Sequence, residues 1–298
     1  MARLSVRRWL DQEQTLAWLL VGPLVLLLLG LVAYPFGVAV MYALSDRTLA
    51  EPGRFVGLAN VWNLWDNQIY RQTLWNTIVY TIGATILKLG AGLGLALILN
   101  EKLPLKRLIR SAVLLPWIVP TVLSAMAWLW LLTPNFSVLN WMLVHAGLSQ
   151  RGLPWLTSPA LAMFSVILVN TWRGIPFFAI TLLAGLQTIP GELYEASAID
   201  GAGAWHRFRY VTLPLLQPIL LITLVLSMIW TYSDFQVVYG LTQGGPMNST
   251  HVLATLSYQV GLASGNIGEG AAISLTMLPL LLILIVWQIR HLRRGATA

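Results

Sequence analysis

The chain has 298 residues, 57% hydrophobic and only 10% charged, with no cysteine and a formal net charge of +7. A soluble domain carries about 25% charged residues, and a mean hydropathy of +0.72 would leave too much apolar surface in water. The lack of cysteine excludes disulfides, thiol catalysis and cysteine metal sites.

His145, His206, His251 and His291 are scattered without metal-ligand spacing. The basic residues sit beside apolar runs, which favours the flanks of membrane spans over nucleic-acid binding.

A span needs about 20 apolar residues, because a helix rises about 1.5 Å per residue across a core about 30 Å thick. Six stretches qualify: 16–42, 74–99, 109–132, 160–186, 215–240 and 268–289. The first run is too long for a signal peptide and no A-x-A site follows it, which predicts a retained span. Lys88 lies within the second stretch and Arg173 within the fourth, so those two rest on flanking pattern as well as hydropathy.

Twelve of the 18 Lys and Arg residues fall on one side of these spans: in segment 1–15 (Arg3, Arg7, Arg8), around loop 100–108 (Lys102, Lys106, Arg107, Arg110), in loop 187–214 (Arg207, Arg209) and in the tail (Arg290, Arg293, Arg294). The positive-inside bias places both termini in the cytoplasm, a parity that six spans satisfy. On the other side, Trp62, Trp65, Trp75, Trp141 and Trp155 read as an interfacial aromatic belt, with sugar stacking as the alternative. Segment 55–70 is expected along the outer membrane surface, and 241–266 as a Gly-, Ser- and Thr-rich outer hairpin. With no residue-level repeat, low-complexity tract or soluble domain, residues 1–298 read as a single transmembrane domain.

Leu186–Pro214 is the longest polar stretch on the cytoplasmic side, yet it is patterned. Pro190 suits the first turn of a helix and Glu192 its positive N-terminal end. Leu193, Ala196 and Ile199 recur near helical spacing, and Gly201 is a good helix stop. A second short helix fits Ala204–Val211, with Pro214 beginning the next span. The small residues Ala196, Ser197, Ala198, Gly201, Ala202, Gly203 and Ala204 would let a partner backbone approach closely. From the residues alone, an ordinary amphipathic loop helix is the competing reading.

Ionisable groups inside spans usually face a cavity or a partner. Lys88 lies near Gly90, Gly92 and Gly94, which suggests tight packing around a buried, paired cation. Glu269 reads as interfacial. Asp234 lies in the fifth stretch near Trp230, Tyr232, Gln236 and Tyr239. Carboxylate and amide groups bond hydroxyls and aromatic faces cover apolar sugar faces, so these five are candidates for a sugar pathway. Asn170, Trp172 and Arg173 are similar candidates on the fourth stretch. A structural Asp234–Arg173 pair is the alternative.

The run Glu195-Ala196-Ser197, then Gly201, Phe208 and Leu213-Pro214, resembles the EAA loop of ABC-importer permeases, with serine where alanine is usual. Residues 184–202, AGLQTIPGELYEASAIDGA, are similar to permeases of the maltose type. Arg110–Trp128 is similar to that family's third span, and TWRGIPFFAITLLAGL to its fourth. Asp234–Thr250, DFQVVYGLTQGGPMNST, resembles the fifth span and outer hairpin of its F-type subunit. The large extra outer domain of the best-known F-type subunit has no counterpart here.

The resemblance implies an all-α inner-membrane protein of six transmembrane helices with a cytoplasmic coupling helix-turn-helix. It implies a bacterial sugar importer in which this chain and a second homologous permease form the pathway. Two copies of a cytoplasmic ATPase would bind ATP and Mg, and a periplasmic or lipid-anchored sugar-binding protein would deliver substrate. Glu192, Glu195, Ala196, Ser197, Asp200, Gly201 and Ala202 would form the ATPase-coupling surface. The sequence has no GxxxxGK[ST] phosphate loop of its own, so it is not expected to be an enzyme.

Two other functional classes compete with this reading. An autonomous secondary transporter or channel could use Lys88, Arg173, Asp234 and Glu269 as an ion relay, but leaves the EAA-like loop unexplained. An intramembrane enzyme lacks HExxH, GxSxG or paired-aspartate motifs.

Overall fold

The computed structural model describes residues 13–134 and 137–295, with side chains over 17–134 and 137–290. The expectations on Arg3, Arg7, Arg8, His291, Arg293 and Arg294 fall outside the described side chains. Among the described residues the chain is helical, apart from one isolated bridge between Ser45 and Phe55.

Helices α1 (Glu13–Leu28) and α2 (Tyr34–Ala43) run together through a π-helical turn at Leu29–Ala33. Pro35 cannot donate to the carbonyl one turn back, and the ladder widens just before it. Short α3 (Ala59–Asp66) is separated by Asn67 from α4 (Gln68–Asn100). The Asn67 carboxamide accepts the Ile69 and Tyr70 amides and so starts α4 as an N-cap.

Helices α5 (Lys106–Ile118) and α6 (Thr121–Leu132) meet at 91°. The expected span over 109–132 is thus bent in the middle. Pro120 drives Val119 out of the helical region (φ −63°, ψ 130°), so the helix has to end there. Helix α7 (Val138–His145) precedes α8 (Pro159–Leu186).

Helix α9 (Gly191–Ile199) is followed by α10 (Ala204–Arg207), a π turn at Phe208–Thr212 and α11 (Leu213–Tyr232). The expected second loop helix is therefore the first turns of a continuous Ala204–Tyr232 helix, again widened by a π turn just before a proline, Pro214. Past a break at Ser233–Phe235 come α12 (Gln236–Leu241), α13 (Leu253–Tyr258) and a π turn at Gln259–Ala263. Segment 241–266, expected as an outer hairpin, is irregular over 242–252 and helical over 253–263. Helices α14 (Ile267–Leu275) and α15 (Leu278–Gly295) close the chain.

Among the described residues, five helical stretches are long and apolar enough to cross a membrane, and the bent α5–α6 pair makes a sixth. Helices α4 and α8 form the central packed pair. At Gly92 of α4 an added Cβ would lie 2.3 Å from Phe178 Cβ on α8, whereas Gly90 and Gly94 face open space. The tight packing expected of all three glycines therefore falls on one.

Leu99, Phe178, Leu182 and Leu216 form the core toward the 187–203 end of the bundle. Tyr70, Tyr232, Leu256 and Ile273 form another toward the opposite end. Leu24, Leu26, Ile86, Leu123 and Ile283 are instead exposed, as on a surface solvated by lipid, where outward apolar side chains cost nothing.

Of the five tryptophans expected at the interface, Trp62, Trp65, Trp75 and Trp141 are exposed. Trp155 is buried and donates its indole N–H to Asn140 Oδ1 (2.8 Å). It belongs to the core rather than to a belt.

Candidate functional site

Two places bring functional side chains together. The first is a cavity of about 150 Å³ between α4, α8, α11 and the α5–α6 bend, lined by Lys88, Trp117, Thr121, Asn170, Arg173, Gly174, Phe177, Ser227, Trp230, Thr231, Asp234 and Gln236. Helical periodicity explains the set: 170, 173, 174 and 177 lie on one face of α8, and 227, 230 and 231 on one face of α11.

Five of the eight pathway candidates line this cavity: Asn170, Arg173, Trp230, Asp234 and Gln236. The other three do not. Trp172 packs edge-on against Trp128 (5.5 Å between centroids). Tyr232 is buried in the core with Leu253 and Ile273. Tyr239 stacks on Phe235 (4.8 Å) and meets Tyr258 (5.1 Å). Trp172 and Tyr232 are each adjacent in sequence to a lining residue, Arg173 and Thr231, and adjacent side chains on a helix point to different sides.

Asp234 sits at the break between α11 and α12. Its Oδ2 accepts the Tyr80 hydroxyl (2.6 Å) and the Asn170 amide (2.8 Å), and its Oδ1 accepts the Val237 amide (3.3 Å). Arg173 forms no ion pair with it, so the alternative of a structural Asp234–Arg173 pair is replaced by a Tyr80–Asp234–Asn170 cluster. The Arg173 Nε and Asn170 Oδ1 are buried without hydrogen-bond partners among the described residues.

Lys88 is 4% exposed, and its ammonium donates to Thr231 Oγ1 (2.7 Å) and Ser227 Oγ (3.3 Å). Gly174 makes room for it, because a Cβ there would lie 2.2 Å from Lys88 Cδ. Trp117 and Phe177 stack at 6.4 Å, and Phe177 meets Trp230 at 4.9 Å, giving the cavity an aromatic wall. Phe177 and Ser227 were missed in the sequence, yet each lies three or four residues from a residue already singled out. Glu269, half-buried in the first turn of α14, is remote from the cavity lining.

The second place is the 190–203 loop. Pro190 is the N-cap of α9 rather than a residue of its first turn, with Glu192 in that turn. Gly201 follows the C-cap Asp200 at φ +79°. Its amide reaches the Ala198 carbonyl (3.1 Å) and the Ala202 amide reaches Ser197 (2.9 Å), the bond pattern of a Schellman cap. Ser197, which replaces the usual alanine, donates to the Tyr194 carbonyl (2.9 Å), and Tyr194 bonds Thr212 (3.0 Å).

The inner side of α9 is thus tied to the start of α11. Its outer side is bare: Glu192, Glu195, Ala196, Asp200 and Gly201 are exposed, as are the apolar Leu193 (42%), Ile199 (87%) and Trp205 (70%). A cavity of about 650 Å³ opens behind it, lined in part by Asn100, Glu101, Tyr194, Trp205 and Arg207.

Residues 88–295 match the family model of the binding-protein-dependent transport system inner membrane component. The chain is similar to the trehalose/maltose transport system permease protein MalF of Thermococcus litoralis, with 35% identity over 272 residues, 91% of each chain. It is also similar to the sulfoquinovosyl glycerol transport system permease protein SmoG of Agrobacterium fabrum, with 34% identity over 289 residues, 96% of this chain and 93% of that one. Among solved structures it resembles a chain of a bacterial alginate ABC transporter in complex with its alginate pentasaccharide-bound periplasmic protein. There the TM-score is 0.82 at 22% identity, over 97% of this chain and 98% of that one. The chain belongs to the binding-protein-dependent transport system inner membrane component family and is a membrane permease subunit of an ABC transporter.

Proposed function

We propose that this permease imports a sugar or sugar derivative, forming half of a translocation pathway with a second homologous permease, and that its 190–203 loop seats in a cleft of a cytoplasmic ATPase. Sugar-transporting relatives at 34–35% identity over almost the whole chain support the substrate class. The observation that carries the coupling role is the bare outer side of α9. Exposed Leu193 and Ile199, on a loop capped and tied down by its own hydrogen bonds, form a rigid apolar surface awaiting a partner.

The ATPase would be present in two copies and would bind ATP and Mg; ATP would drive closure of the pair, and the loops would transmit that closure as rocking of the helices. A periplasmic or lipid-anchored protein would deliver the sugar. The positive-inside bias supports a multi-pass bacterial inner-membrane topology with both termini cytoplasmic. The 150 Å³ cavity is the proposed pathway site within one transmembrane domain, where Asn170, Gln236 and Asp234 meet hydroxyls and Phe177 and Trp230 cover a sugar face. An autonomous transporter would leave the α9 surface without a purpose.

The test is affinity purification of the tagged chain from its native membrane. A homologous permease and an ATPase should copurify. Recovery of this chain alone, still active in uptake without ATP, would contradict the proposal.

A further inference from the structure

We infer that the cavity accepts a sugar carrying a single negative charge, a carboxylate or sulfonate, with Arg173 as its direct partner and Lys88 supporting it. The inference rests on the proposal that this cavity is the sugar pathway.

The ionisable residues lining the cavity are Lys88, Arg173 and Asp234, which leaves one positive charge in excess. Asp234 is already satisfied by three neutral donors, from Tyr80, Asn170 and the Val237 amide. Its charge also acts on Lys88 and Arg173 through space, and one positive charge is still left unbalanced. The two cations are met differently. Lys88 finds only hydroxyl acceptors, on Ser227 and Thr231. Arg173 has no protein acceptor among the described residues, and its Nε is sealed from solvent.

A cation deep in a span is costly and is ordinarily paired. A guanidinium fork left open toward a cavity matches two oxygens of one anionic group. The missing counter-charge is thus supplied by what enters the cavity. The aromatic wall of Trp117, Phe177 and Trp230 takes the apolar face. One excess charge balances one carboxylate or sulfonate, whereas a phosphate monoester would bring about −1.5 to −2.

The chain has no cysteine of its own, so a single thiol can report the field. In the complete transporter, with cysteine-free partners, Gln236→Cys places the thiol on the cavity wall and Met247→Cys, at a position 85% exposed, serves as the control. Each is reacted with an anionic (ethylsulfonate) and a cationic (ethyltrimethylammonium) methanethiosulfonate. The anion-to-cation rate ratio is expected to be at least about tenfold higher at position 236 than at 247. Arg173→Gln should lower that ratio and Asp234→Asn should raise it, so the outcome does not depend on one variant folding. D-glucuronate should slow the reaction at 236 more than D-glucose or D-glucose 6-phosphate at equal concentration.

A ratio equal to the control, or protection by glucuronate no better than by glucose, overturns the anionic class while leaving the pathway standing. Stronger protection by the phosphate overturns the single charge. A thiol at 236 that never reacts while the one at 247 does shows that the cavity is not on a water-filled route, and overturns the pathway proposal and the inference together.

Discussion

The 190–203 loop and the 242–258 segment are both polar, glycine-containing connections at opposite ends of α11, and they are built in opposite ways. The 242–258 segment completes itself. His251 is 5% exposed and bonds Thr255 (3.1 Å), Thr242 bonds Thr250 (2.7 Å), and Thr77 accepts the Leu253 amide (3.0 Å). Asn76 ties the Asn248 carbonyl to α4 (3.0 Å).

The 190–203 loop caps its own backbone, is tied to α11 through Tyr194 and Thr212 (3.0 Å), and leaves the outer side chains of α9 free. An added Cβ at Gly201 would meet nothing within 4 Å, whereas at Gly244 it would fall 2.1 Å from the His251 ring. The difference teaches where each region's constraint lies: in the chain itself for 242–258, and in a partner for 190–203.

Substitutions should separate the two by effect on stability. The largest loss is expected for Gly244→Ala, where φ is +91° and the methyl overlaps a buried ring. Overpacking and left-handed strain together should cost about 3 kcal/mol, read as a fall in thermal midpoint of the purified complex. An unchanged midpoint would show that the segment is looser than its bonds suggest.

Asp234→Ala, at the break that leads into the segment, strands the Tyr80 hydroxyl and the Asn170 amide. It should cost about 1–3 kcal/mol for the groups left unsatisfied and abolish uptake. Full uptake with normal stability would remove Asp234 from the pathway.

His251 gives a smaller, pH-dependent effect. Burial lowers its pKa from 6.5, so the unfolded state binds the proton more readily than the folded one. Its contribution is whole above the unfolded value and is lost as pH falls through the lowered folded value. Thermal midpoints should drop as pH falls through 6.5 and below, and His251→Gln should flatten that part of the slope. In the other region, Tyr194→Phe loses one hydroxyl bond to Thr212 and should cost only about 0.5–1.5 kcal/mol.

The sequence made the membrane class and the loop legible, because hydropathy windows and a helix stop at Gly201 are local signals. The α5–α6 bend was equally local, since Pro120 announces it, but a hydropathy window averages across it. The Asp234 cluster was not legible: Tyr80 is 154 positions away, and no spacing rule links an α4 tyrosine to a break after α11. Tyr232 and Tyr239 show the matching limit. They flank Asp234 in sequence, yet the break at Ser233–Phe235 turns one into the core and the other into an aromatic group.

The central claim is that the outer side of α9 works only through a partner. Gly201→Asp and Glu195→Lys alter that side without touching a buried contact of this chain. The decisive measurement is ATP hydrolysis by the reconstituted transporter with and without sugar-loaded binding protein. The account predicts that both variants still insert and fold, Gly201→Asp with a backbone penalty of about 1–2 kcal/mol at φ +79°, while stimulation and uptake collapse, as expected when an interface charge is reversed at a cost of about 2–5 kcal/mol. Full stimulation and full uptake in both variants would contradict it.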